Sequence, residues 1–115
     1  MKRMHGIASF AVLAMALLLA AIPLLETPAL AGPPTAAINI DNFSFTPPTI
    51  TVKAGTQITW TNKDDIPHNV VAEDNSFKSK VLDTDEQFTM TASKPGIYMY
   101  YCSIHPKMTG KLVVE

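Results

Sequence analysis

The sequence predicts an all-β fold, an antiparallel sandwich of about seven to eight short strands that begins at Ala37. Three observations carry this. Apolar residues recur at every second position in short runs, Pro, Gly and Asn turns separate the runs, and no helical period lasts longer than a turn or two.

The first 31 residues stand outside that pattern. Lys2 and Arg3 give a positive start, Ile7 to Leu25 is almost wholly apolar, and Ala29-Leu30-Ala31 has the small-residue form of a cleavage site. Together they describe a secretory signal peptide over residues 1–31. A run of that length is also nearly enough to cross a bilayer, so a retained anchor is the alternative. Pro23 and the cleavage motif favour removal, which leaves Gly32 as the first residue, 32–36 as a flexible leader with Pro33 and Pro34, and 37–115 as one small domain. A chain cleaved there and exported has no membrane segment in its mature form.

Within the domain, Ile38 and Ile40 alternate with polar neighbours, Phe43 and Phe45 alternate in the opposite phase, and Pro47-Pro48 breaks the run. Ile50 and Val52 form the next strand, Lys53-Ala54-Gly55 a turn, and Ile58 and Trp60 a strand among threonines. Asn62-Lys63-Asp64-Asp65 is a polar loop. Pro67 stiffens the segment that presents His68. Residues 72–79 are polar. Val81-Leu82 and then Phe88 with Met90 read as two short strands, or as one strand and a turn. After the Lys94-Pro95-Gly96 turn, Tyr98, Tyr100 and Cys102 share one face of a strand, with Ile97, Met99 and Tyr101 on the other. Leu112 and Val114 close the chain.

Charge and cysteine usage narrow the function. Beyond residue 31 there are seven Lys against nine Asp or Glu, a mild negative balance without the basic patch of a nucleic-acid binder. Cys102 is the single cysteine, so an exported domain this small has no internal disulfide. Coordination of the thiolate to a metal would both shield it and supply the missing staple, because a ligand bound by the native state alone stabilises that state.

The metal-binding pattern lies in Cys102-Ser103-Ile104-His105-Pro106-Lys107-Met108, a C-x2-H-x2-M spacing at a strand end, with His68 upstream. His, Cys and Met taken singly are more often packing residues than ligands. Here the exported part holds only two His and one Cys, and two of these three sit three apart beside a Met. Two imidazoles, one thiolate and a weak axial thioether form the set that holds one copper ion through the Cu(I)/Cu(II) cycle. A thiolate with two imidazoles is also acceptable to zinc. We expect Asn69 to tie the His68 segment to the Cys102 loop. Trp60, Phe43, Phe45 and Tyr100 read either as an apolar shell near the metal or as ordinary core.

These residues resemble the cupredoxins, and among them the amicyanins. The resemblance rests on Pro67-His68-Asn69-Val70, on Gly96 to Cys102 read as G-x-Y-x-Y-x-C, on His105-Pro106, on Met108-Thr109-Gly110-Lys111-Leu112-Val113-Val114, and on the short ligand loop. It implies a Greek-key sandwich with His68, Cys102, His105 and Met108 as copper ligands, and a monomeric periplasmic one-electron carrier. It further implies transient docking to redox proteins, a c-type cytochrome and an amine dehydrogenase among them, through the exposed edge of His105. Ile104 and Lys107 depart from the amicyanin pattern, which has Pro and an apolar residue there, and Lys107 weighs against the amine-dehydrogenase partner. Copper storage or delivery by the same site is the alternative. An enzyme would need an open position or a second metal, and no further His remains once His5 has left with the signal peptide.

Overall fold

The computed structural model describes residues 21–23 and 32–115. The expected signal peptide and its cleavage site fall largely outside the described residues. Eight strands follow: β1 (Thr35–Asp41), β2 (Ser44–Thr46), β3 (Thr49–Val52), β4 (Thr56–Asn62), β5 (Val71–Ala72), β6 (Gln87–Ala92), β7 (Gly96–Tyr101) and β8 (Thr109–Val114). They form two four-stranded sheets, β2-β1-β4-β6 and β3-β8-β7-β5. The all-β sandwich is as expected.

Its sheets are mixed rather than purely antiparallel. β1 pairs with β4 and β3 with β8 in parallel, while the other ladders are antiparallel. The cause is connectivity: between β1 and β4 the chain makes an excursion to the second sheet, which is long enough to return it in the same direction. Two local expectations also change. Thr35 and Ala36, placed in the flexible leader, pair with Gln57 and Ile58, so β1 starts before the apolar alternation that marks it. Val81-Leu82 forms no named strand; Leu82 makes a single bridge to His68.

The reversal of phase between Ile40 and Phe43 is a hairpin. Asp41 pairs with Ser44, and Asn42 and Phe43 between them have φ of 51° and 57°. Two left-handed residues in a two-residue loop are what the right-handed twist of paired strands requires. Inward-facing residues of both sheets then meet. Ile38, Ile40, Ile58, Trp60, Leu82, Tyr100 and Leu112 have no exposed surface. Trp60 crosses Tyr100 edge-on with ring centroids 5.6 Å apart, and Phe45 meets Tyr100 at 4.7 Å. These three aromatics are core. Opposite Tyr100 lies Gly110, and a Cβ there would stand 2.2 Å from the ring, so the glycine makes the space the tyrosine fills.

This packing gathers the β1–β2 turn, the loop after β4 and the loop joining β7 to β8 at one end of the sandwich. Ile40 pairs with Asn62, and Val71 pairs with Tyr101.

Candidate metal centre

The loop from Cys102 to Met108 is closed by its own backbone. Cys102 N–H donates to the Met108 carbonyl at 3.0 Å, His105 N–H to the Cys102 carbonyl at 3.2 Å, and Met108 N–H to the His105 carbonyl at 2.9 Å. Two successive tight turns therefore fold the three candidate ligands of this loop back onto the end of β7. His68 arrives from the other side, fixed by a reciprocal backbone pair with Leu82: its N–H donates at 3.1 Å and its carbonyl accepts at 2.7 Å.

Three donor atoms meet there. Cys102 Sγ lies 3.7 Å from His68 Nδ1 and 4.0 Å from His105 Nδ1, and all three atoms fall within 4.8 Å of one another. His68 and Cys102 have no exposed surface, whereas His105 is half-buried. Met108 is 5% exposed and is joined to Cys102 through the backbone bond above. The soft sulfur, the two imidazole nitrogens and the adjacent thioether residue make a mixed donor set that suits one copper ion. Of the four aromatics considered as an apolar shell, only Phe43 meets the imidazoles. Its ring stands edge-on to His68 at 5.6 Å and to His105 at 5.1 Å, and it remains half exposed.

The model of the cupredoxin-like domain matches residues 10–114. The chain belongs to the cupredoxin family. It is similar to the amicyanin of Paracoccus versutus, with 32% identity over 83 residues that cover 68% of this chain and 63% of that protein, so it spans less than two thirds of that relative's length. A solved structure of a purple cupredoxin from Nitrosopumilus maritimus superposes with a TM-score of 0.67 at 33% identity, over 70% of this chain and 99% of that one. An amicyanin variant solved in its Cu(I) form gives 0.66 at 31% identity, over 70% and 82%.

In this cupredoxin the residues behind the donors form a hydrogen-bonded frame. Asn69 joins the two halves as expected: its Oδ1 accepts the Ser103 N–H at 2.7 Å, its Nδ2 donates to Ser103 Oγ at 2.7 Å, and its own N–H points at Cys102 Sγ from 3.5 Å. Asp64 was legible only as part of a polar loop. Its Oδ2 lies 2.7 Å from His68 Nε2, four residues on, and that spacing ahead of a Pro-stiffened His was the signal available. An ionised carboxylate only accepts, so Nε2 carries the ring proton and Nδ1 keeps a lone pair facing Sγ. Burial pushes the Asp64 carboxyl up, but the Phe43 N–H, the His68 ring and the Asn42 N–H outweigh it and hold the group below the usual carboxylate range. Asn62 fixes the loop beneath: its side chain donates to the Ile66 and Leu82 carbonyls and accepts the Asp64 N–H, all at 2.9 Å.

Proposed function

We propose that this cupredoxin is a blue copper electron carrier that holds one copper ion on His68, Cys102, His105 and Met108. The observation that carries the reading is the convergence of His68 Nδ1 and His105 Nδ1 on the Cys102 sulfur, at 3.7 and 4.0 Å. Copper bound there supplies a Cu(I)/Cu(II) couple. The chain does the rest: Asp64 fixes the tautomer of His68, Asn69 clamps the thiolate loop, and the backbone turns of residues 102–108 hold His105 and Met108 in register. The protein is an electron carrier and not an enzyme.

His105 is the one half-buried group of the three, so electrons enter and leave at its edge. Around it Phe43, Ile104, Pro106, Lys107 and Met108 line a shallow apolar depression, with Phe43 50% and Ile104 45% exposed. That surface suits brief docking of a redox protein such as a c-type cytochrome, since electron-transfer encounters are among the smallest interfaces. Residues 1–31 support export to the periplasm, where the carrier would work as a monomer.

Purified protein given one equivalent of Cu(II) should develop an intense visible band from thiolate-to-copper charge transfer, and Cys102→Ser should abolish it. A colourless wild type, or colour unchanged in Cys102→Ser, overturns the reading. Slow electron self-exchange at an intact coloured site would point instead to copper storage.

A further inference from the structure

The turn that carries Phe43 is an expensive one. A β-hairpin loop with two left-handed residues favours Asn-Gly, and a bulky side chain at positive φ is a placement that neighbouring structure must enforce. Here Phe43 takes the glycine position at φ 57°. Both N–H groups of the turn are held by one side chain from another loop: Asn42 N–H donates to Asp64 Oδ1 at 2.6 Å and Phe43 N–H to Asp64 Oδ2 at 3.0 Å. The same Oδ2 accepts His68 Nε2–H at 2.7 Å. Asp64 is itself pinned, by Asn62 Oδ1 at its N–H and by Thr84 Oγ1 at its carbonyl, at 2.9 and 2.7 Å. One carboxylate thus joins a buried imidazole to the exposed aromatic ring packed edge-on against both imidazoles.

We propose that Asp64 is a positioning residue that acts on both sides of the metal centre, fixing the His68 tautomer from behind and holding Phe43 against His68 and His105 from in front. The inference rests on the copper-carrier reading and adds to it that the wall of the docking depression and the buried ligand share one support. Loss of that support frees Phe43 and exposes the His105 side of the site to water. It also withdraws the carboxylate that makes His68 a stronger donor to Cu(II), so the reduction potential rises.

The test uses the Cu(I)-loaded full chain, which is diamagnetic, with ¹⁵N-labelled histidine. It reads the exchange rate of the His68 Nε2 proton with water, the cross-relaxation between the Phe43 and His105 rings, and the reduction potential. In Asp64→Ala the proton should exchange at least tenfold faster, the ring contact should weaken, and the potential should rise. Asp64→Asn separates the two roles and serves if the alanine variant fails to fold. Its single amide oxygen can keep His68 and Phe43 N–H only by turning its NH₂ against the Asn42 N–H, so the turn should loosen while the His68 proton stays slow. Wild-type exchange, ring contact and potential in both variants, with only a lower melting temperature, would overturn the proposal by reducing Asp64 to a stabilising residue. Should the wild type take no copper, the carrier reading fails, and the two NMR observables in the metal-free protein still decide the role of Asp64.

Discussion

Asn69→Ala tests whether the two halves of the site are held together by the chain itself. Asn69 exchanges two hydrogen bonds with Ser103, both 2.7 Å, across 34 residues of sequence. An intramolecular hydrogen bond contributes a net ~1 kcal/mol. Truncation removes both bonds, so we expect a loss of about 2 kcal/mol. For a domain of this size that lowers Tm by about 8–16 °C. The backbone N–H facing Cys102 Sγ survives the change, so the Cu(II) colour should persist at low temperature while thermal stability falls. Asn69→Asp should fall between wild type and alanine, because one oxygen still accepts the Ser103 N–H and the serine hydroxyl can turn to donate to the other. Ser103→Ala should cost less than Asn69→Ala, and the double variant little more than Asn69→Ala, since the two side chains share one interaction. Thermal unfolding of the four variants with copper at fixed excess supplies the comparison. An Asn69→Ala protein within about 0.5 kcal/mol of wild type, the level of an ordinary surface change, would refute the clamp.

Two further predictions concern the core beneath the site. Gly110→Ala puts a methyl 2.2–2.6 Å from the Tyr100 ring, and overpacking of this kind costs ~1–3 kcal/mol or more; adding Tyr100→Leu should recover part of the loss in denaturant unfolding, and a Gly110→Ala variant as stable as wild type would contradict the packing described. The Tyr100 hydroxyl is fully buried with no hydrogen-bond partner, and burial pushes it up to about 12, opposed only by the nearby Trp60 indole. The folded state therefore keeps this proton where the unfolded chain loses it, so stability is complete below pH ~10 and falls between pH ~10 and ~12, by up to ~3 kcal/mol. Tyr100→Phe should be neutral or stabilising at pH 7, and the difference between the two proteins should widen with pH over that window; parallel stability curves would refute it.

The sandwich and the candidate donors of the Cys102 loop were legible because each depends on local pattern. Alternation at Ile38 and Ile40, Ile58 and Trp60, and Tyr98 and Tyr100 marks inward faces, and these residues are buried or half-buried. The loop Cys102 to Met108 is short enough for spacing alone to bring its donors together. What escaped depends on the return path of the chain. The parallel pairing of β1 with β4 follows from an excursion between sheets that alternation does not encode. Phe77 lies in a polar run yet is 8% exposed, because the Val71–Lys78 bridge folds its loop onto the Trp60 ring, 5.7 Å away. Phe43 alternates like a core residue but sits in a turn, half exposed. Asp64 acts on residues 21 and 22 positions earlier, a relation that exists only once β1 and β4 lie side by side.

The arrangement divides the work of the site between its two sides. On the proposed carrier reading, the metal environment must change little between oxidation states and yet lie close to a partner. On the inner side, His68 and Cys102 are fully buried and held by Asp64, Asn69 and the Leu82 backbone, so motion there would break several hydrogen bonds at once. On the outer side, His105 is held only by backbone bonds of its own loop, its N–H donating to the Cys102 carbonyl and its carbonyl accepting the Met108 N–H, and it meets solvent beside Phe43. On the carrier reading a partner could therefore approach the His105 edge while the Asn69 and Leu82 bonds behind Cys102 and His68 stay buried. Lys107 is exposed at the rim of the depression around His105, so on the proposed carrier reading a partner with an acidic rim would fit better than a wholly apolar one.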